Sequence, residues 1–211
     1  MKRLFYCLAI LASLAFAGCA STEPSQQAAG EEGAALKPIV ILPVDIVPAE
    51  EGKKRTAAEQ EALNKGRMLL DSLLADYLTD KKNVRFMSAA ERDALGSKTF
   101  ARCRTSAAIT ICQQVGGEAV LLVTLNRYRD RQGNEYSVAQ PASVAFDYKL
   151  LEAGSGRTLC AGVFDETQRS LSENILDFAR FSKRGFKWIT GEALAREGME
   201  NRLSNCPYLK K

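Results

Sequence analysis

Two periodicities divide the chain. Leu63, Gly66, Leu70, Leu73, Leu74 and Tyr77 recur at spacings of three and four, while Glu61, Lys65, Arg67, Asp71 and Asp76 lie mostly off that line. This predicts a long amphipathic helix whose apolar stripe packs on a sheet. Thr56 and Glu59 stand just before it with the spacing of a capping box, which satisfies backbone amides that a helix start leaves free. The second periodicity is that of strands. Ile39 to Leu42 is an unbroken apolar, β-rich run between Pro38 and Pro43, as suits a short strand buried on both faces. Val144, Phe146, Tyr148 and Leu150 alternate with smaller or polar residues, as a strand with one buried face requires.

The remaining signals fill the order in. "DIVPAEEGKKR" is a loop, and "NVRFM" is a second short strand. Ser88 and Glu91 cap a brief helix that Gly96 is expected to stop, and a third helix from about Ser106 to Val115 ends at Gly116 and Gly117. "EAVLLVTLNRYRD" is a strong strand and "RQGNE" a polar turn around Gly133. After the strand that holds Phe146, "GSG" turns the chain and "RTLCAGVFDET" returns antiparallel. A helix from about Ser170, with Glu173 completing its capping box, and another from about Thr190 to Leu203 close the chain. The order β-α-β-α-α-β-β-β-α-α predicts an α/β (α+β) fold. It comprises a single mixed sheet of about five strands, with a β-α-β start and an antiparallel meander, flanked by helices and followed by C-terminal helices. A hydrophobic share of 46% and a charged share of 26% allow such a core.

The first 18 residues follow another rule. Lys2 and Arg3 precede an apolar stretch from Leu4 to Phe16, and small Ala17 and Gly18 lead into Cys19. That order is a secretory signal peptide over residues 1–18, too short and wrongly flanked for a permanent span. "FAGC" resembles the bacterial lipobox, in which the cysteine is acylated and the leader cleaved before it; Phe16 stands where leucine is usual. The resemblance implies a covalent lipid on Cys19, and several acyl chains make a lasting anchor where one does not. Ala20 and Ser21, in place of an aspartate after the cysteine, imply the periplasmic face of the outer membrane. Residues 20–37 are small, polar and without hydrophobic period, so the lipidated cysteine and a flexible tether occupy 19–37. The tether reaches about 23 Å as a coil and about 60 Å stretched. A single periplasmic domain occupies 38–211.

Export changes the cysteine arithmetic. Of six cysteines, Cys7 leaves with the leader and Cys19 carries lipid, so Cys103, Cys112, Cys160 and Cys206 remain. An even number in an oxidising compartment suggests up to two disulfides among three connectivities. Proximity in sequence favours Cys103 with Cys112, leaving Cys160 with Cys206; four buried thiols are the plain alternative. Loss of Lys2 and Arg3 lowers the formal charge of +4 by two, a balance that does not call for nucleic acid.

The lipobox, the tether, the opening strand "IVILPV", the long amphipathic helix, the helix-Gly-strand passage "QQVGGEAVLLVTL" and the hairpin "VAFDYKLLEAGSGRTL" together resemble one group. It is the periplasmic lipoproteins and modules that share the α/β fold of the curli secretion lipoprotein CsgG, the penicillin-binding-protein activator LpoB and the amino-terminal domain of TolB. The resemblance covers roughly residues 38 to 170 and implies a role in envelope assembly, secretion or cell-wall machinery. A fold does not fix an activity.

Candidate chemistry is sparse. The chain contains no histidine, which removes the commonest general base, nucleophile activator and zinc ligand. The four cysteines include no C-x-x-C pair, so neither a metal site nor a catalytic residue is expected, and no cofactor beyond the lipid. "GSGR" lacks the ending of a phosphate-binding loop and reads as a hairpin turn. Asp165 and Glu166 adjoin on a strand, so they point to opposite faces and read as solvated edge charges.

"FARFSKRGFKW", residues 178–188, interleaves Phe178, Phe181, Phe186 and Trp188 with Arg180, Lys183, Arg184 and Lys187. Two readings stand: a core-facing aromatic set with a solvated basic face, or a surface for a partner or anionic lipid. In the second, Arg180, Lys183, Arg184, Lys187 and Trp188 are the partner-binding candidates. The chain is expected to be a non-enzymatic, membrane-anchored adapter or accessory factor for an unidentified envelope protein, with no nucleic acid or small-molecule substrate. Alternatives are a subunit of a CsgG-like secretion pore, which requires extra alternating hairpin strands of about ten residues, and a periplasmic hydrolase, which requires a carboxylate pair.

Overall fold

A computed structural model describes residues 38–49, 52, 54–100, 103–169, 182, 184–185 and 187–211. The leader, Cys19, the tether, most of the helix expected from Ser170, and Arg180 and Lys183 lie outside the described residues. In chain order the elements are β1 (Ile39–Ile41), β2 (Asp45–Ile46), α1 (Ala57–Leu78), β3 (Val84–Phe86), α2 (Ala89–Phe100), α3 (Arg104–Gln114), β4 (Ala119–Arg129), β5 (Gln132–Gly133), β6 (Val138–Gln140), β7 (Ser143–Glu152), β8 (Thr158–Thr167) and α4 (Gly191–Leu203).

One mixed sheet runs β3-β1-β4-β7-β8, with β2 added beside β4. β1 pairs parallel with β3 and β4, and β4, β7 and β8 form an antiparallel meander. The sheet has a core on each face. Ile39 and Ile41 belong to the core that α1 and α4 cover, whereas Val40 belongs to the core that α3 covers. A three-residue strand with no polar side chain is what burial on both faces demands.

The predicted stripe of α1 is its buried face: Leu63, Gly66, Leu70, Leu73, Leu74 and Tyr77 all turn inward, joined by Leu78. Full burial of Leu70 and Leu74 contributes about 2 kcal/mol each. The capping box is present: Glu59 N–H donates to Thr56 Oγ1 at 3.2 Å, and Thr56 N–H donates to Glu59 Oε2 at 2.8 Å. Gly66 admits the ring of Tyr128, because a Cβ there would lie 2.5 Å from Tyr128 Cγ.

On the same face, Phe146 of β7 lies opposite Phe164 of β8 with ring centroids 5.3 Å apart. α4 runs beneath them; its Thr190 cap accepts from Ala193 N–H at 3.1 Å, and Tyr148 donates to the Arg202 carbonyl at 3.0 Å.

Three local expectations are corrected. α2 continues through Gly96 to Phe100, since a glycine inside a helix costs about 1 kcal/mol and does not of itself end it. The loop after β1 contains β2, whose Asp45 and Ile46 pair with Thr124 and Leu125. The polar turn holds a small hairpin, β5 with β6, in which Asn134 Oδ1 accepts from Tyr136 N–H and Ser137 N–H at 2.9 Å each. Strands of two and three residues are too short to show a periodicity.

Candidate functional site

The chain leaves β1 towards α1 on one face of the sheet and leaves β3 towards α2 and α3 on the other. Connections that part in this way open a crevice beyond the carboxyl ends of the two adjacent parallel strands, the usual ligand position in sheets of this kind. Here the crevice is a cleft of about 200 Å³. Leu42 and Pro43 form its wall beyond β1, Phe86 at the end of β3 and Met87 just past it form the other wall, and Arg67 and Asp71 of α1 supply charge.

Asp71 Oδ1 accepts the Val44 N–H at 2.8 Å, and its other oxygen lies 3.4 Å from Arg67 Nη1. Burial holds the Asp71 carboxyl above its ordinary pKa, although the Val44 bond and the Arg67 charge both favour the ionised form. Behind the cleft, Asp45 binds two arginines. Arg92 of α2 meets one oxygen at 2.9 Å and Arg104 of α3 the other at 2.7 Å. This carboxylate therefore fastens both helices to β2, at the start of the strand. Removing it would leave two guanidinium groups, both mostly shielded from water, without their shared counter-charge.

The polar groups in and behind the cleft are engaged in holding its own walls together. Both oxygens of Asp45 are engaged. Ser88 is engaged in a capping box, accepting from Glu91 N–H at 3.2 Å while its own N–H donates to Glu91 at 2.8 Å. Apolar walls with one carboxyl and one guanidinium suit an apolar group bearing a polar end. Among the described residues, no group of three or more His, Cys, Asp or Glu side chains is gathered to hold a metal ion.

The basic-aromatic segment is placed only in part. Arg184 is almost wholly buried, with Nη1 2.8 Å from Glu166 and Nη2 2.9 Å from Glu197 of α4. Burial opposes its charge, but the bonds to the two glutamates outweigh burial and raise its pKa. Lys187 stands at the surface, 3.0 Å from Glu135 and over the Tyr136 ring at 5.6 Å. Trp188 N–H donates to the Glu135 carbonyl at 2.9 Å, and the Trp188 carbonyl accepts from Arg131. Lys187 and Trp188 thus hold the chain against the β5–β6 hairpin.

Gln168, buried and not singled out by sequence, organises the same region. Its amide donates to the Lys187 carbonyl and accepts from Ile189 N–H, both at 2.9 Å. Asp165 and Glu166 do face opposite ways, as adjacent strand residues must. Asp165 pairs with Arg127 at the surface, but Glu166 is not the solvated charge expected: Arg184 shields it.

Cys160 and Cys206 form a disulfide with a Cα–Cα distance of 5.8 Å, joining β8 to the chain just past α4. The expected bridge between Cys103 and Cys112 does not form, and both are free thiols. Cys103 caps α3 and Cys112 lies within it, so nine residues of helix rise separate them by about 13 Å, far beyond disulfide reach. Closeness in sequence became distance along a helix axis. Cys112 packs in the core of the α3 face, where burial pushes its thiol pKa up to about 11.

No helix among the described residues is long and apolar enough to cross a membrane. No family model matches the chain, and no curated protein matches it. Among solved structures it is similar to the PelC dodecamer from Paraburkholderia phytofirmans, at 12% identity over 86% of this chain and 93% of that one with a TM-score of 0.49. It is also similar to the hypothetical protein CT253 from Chlamydia trachomatis, at 12% identity, 82% and 97% coverage and a TM-score of 0.47. A third likeness is to the LpoB C-terminal domain from Salmonella enterica, at 15% identity, 65% and 87% coverage and a TM-score of 0.38. Likenesses at this level assign no function to the chain.

Proposed function

We propose that this chain is a lipid-anchored envelope protein, held by acylated Cys19 on the periplasmic face of the outer membrane. There it acts without catalysis as an adapter or accessory factor for an assembly, secretion or cell-wall complex. The observation that carries the reading is the order of the first 37 residues: a cationic start, an apolar stretch ending in Ala-Gly-Cys, then a polar tether with no hydrophobic period. Such an order delivers a domain to a membrane surface and leaves it room to reach a partner. The domain supports the reading through its build. Its internal charges are largely spent on holding elements together, as in Asp45 with Arg92 and Arg104, and Arg184 with Glu166 and Glu197. The cleft beside β3 offers apolar walls to a partner's side chain.

The test has two stages in intact cells. Labelled palmitate should enter the full-length chain and not a Cys19→Ser variant, and the labelled chain should fractionate with the outer membrane. Chemical crosslinking followed by mass spectrometry should then return one abundant envelope protein. Equal label in the Cys19→Ser variant overturns the anchor. An inner-membrane fraction overturns the placement, and the absence of any co-purifying envelope protein overturns the adapter role.

A further inference from the structure

Among the described residues the outer side of β3 is open, since this strand ends the sheet and pairs with β1 alone. Ile39 N–H donates to the Asn83 carbonyl at 2.7 Å, and Met87 N–H donates to the Ile41 carbonyl at 3.0 Å. Backbone groups along a strand turn to alternate sides, so Asn83, Arg85 and Met87 face β1. Val84 and Phe86 therefore direct their N–H and C=O away from the sheet. Two outward residues are too few to template a sheet, but they suffice for the last residues of a chain end.

The cleft lies beside these groups. Val84 packs against the core that α1 covers, and strand alternation sets Phe86 on that same face. α1 lines the cleft there with Arg67, Asp71 and Leu74. Sites for whole small molecules run to about 300 to 1,000 Å³. A cleft of about 200 Å³ has room for a single side chain instead.

The charges of the cleft decide the polar end of its occupant. Asp71 is engaged at both oxygens, by Val44 N–H at 2.8 Å and by Arg67 at 3.4 Å. Arg67 makes that one long contact among the described residues, its side chain is 34% exposed, and its guanidinium carries a fork of donors that matches a carboxylate. We propose that the cleft and the edge of β3 together hold the carboxyl terminus of an envelope protein that ends in an apolar residue. The chain end lies parallel to β3. Its penultimate residue stands across from Arg85, donating N–H to the Val84 carbonyl and accepting from Phe86 N–H. The last residue stands across from Phe86, sends its side chain into the cleft and turns its carboxylate to Arg67. An antiparallel end would carry its carboxylate to the other end of β3, away from Arg67. This inference rests on the adapter reading and names the part of the partner that is held.

The test titrates the full-length chain in detergent micelles into fluorescein-labelled pentapeptides that end in Leu, Phe or Gly, each made as free acid and as carboxamide. Fluorescence anisotropy reads binding. The Leu and Phe acids should bind at least about tenfold tighter than their amides, as the loss of a charged hydrogen bond requires. The Gly acid should be weaker than the Leu acid by a similar factor, having no side chain to bury. Arg67→Gln should abolish the difference between acid and amide while the chain still melts cooperatively, and Phe86→Ser should weaken the Leu acid several-fold. Isocaproate keeps the Leu side chain and the carboxylate but has no backbone, so it should compete at least about tenfold less well than the peptide. Equal binding of acid and amide overturns the proposal. So does a folded Arg67→Gln variant that still tells them apart, or isocaproate that competes as well as the peptide. Absence of binding by every peptide at about 1 mM overturns it as well, and the adapter reading then stands or falls separately on the crosslinked partner in cells.

Discussion

The two edges of the sheet are built on opposite principles. β3 is three residues long, carries Arg85 at its centre and is fixed to β1 by three paired positions. Beyond its carboxyl end lies the cleft, bordered by Phe86 at 44% exposure. β8 is ten residues long and held from below by packing, ion pairs and a covalent bond. Phe164 rests against α4, Arg184 joins Glu166 to Glu197, and Cys160 is bonded to Cys206. A short charged edge needs no support because it offers little to pair with. A long one, uncharged from Leu159 to Phe164, is instead held in shape from below.

Breaking the support under β8 should have the largest effect. Cys206→Ala opens a loop closed over 46 residues and is expected to cost about 4 kcal/mol. Urea unfolding of parent and variant checks this, and reductant should destabilise only the parent. Gly198 comes next: a Cβ there would lie 2.6 Å from Phe164 Cδ1, so Gly198→Val should cost about 2 to 3 kcal/mol by overpacking. The shift of the urea midpoint reads it.

At the β3 side the effects should be smaller and of another kind. The folded chain holds the Asp71 proton above the ordinary carboxylate value of 3.8 and so binds more proton than the unfolded chain between that value and the raised one. Its contribution to stability therefore falls as pH rises through that interval. Asp71→Asn removes this fall, and the slope of unfolding free energy against pH should become more positive there. Phe86→Ser, at the exposed end of β3, should change stability by about 0.5 kcal/mol or less. A loss comparable to that of Gly198→Val would erase the contrast between the edges.

Much of the fold was legible along the chain because its signals were local. The α1 stripe, its capping box and the continuous run of β1 each follow from one element's own periodicity, and each stands in the structure. The alternation of β7 places Val144, Phe146, Tyr148 and Leu150 in one core, but its other face is not left to solvent, since Ser143, Ala145 and Leu151 are buried too. β2 and the β5–β6 hairpin were not legible, since strands of two or three residues exist only through a neighbour. Of the site, the sequence marked Asp71 merely as a residue off the apolar stripe. Nothing before the fold showed that Val44 would donate to it. Gln168 carries no signal in the sequence, yet two backbone groups about twenty residues on require its amide.

By itself the sequence determined the class of fold, the leader-like start with Cys19 and the absence of imidazole chemistry, because composition and short-range spacing suffice for these. Only the tertiary structure decided which charges are spent inside and which cysteines meet. Arg184 reads as one cation among several in a basic stretch, but it is buried because Glu166 on β8 and Glu197 on α4 converge on it. Cys160 finds Cys206 across the sheet and helix, whereas Cys112, only nine positions from Cys103, is carried away from it by the rise of α3. Pairings of this kind depend on distance in space, which the chain sets only when its elements pack.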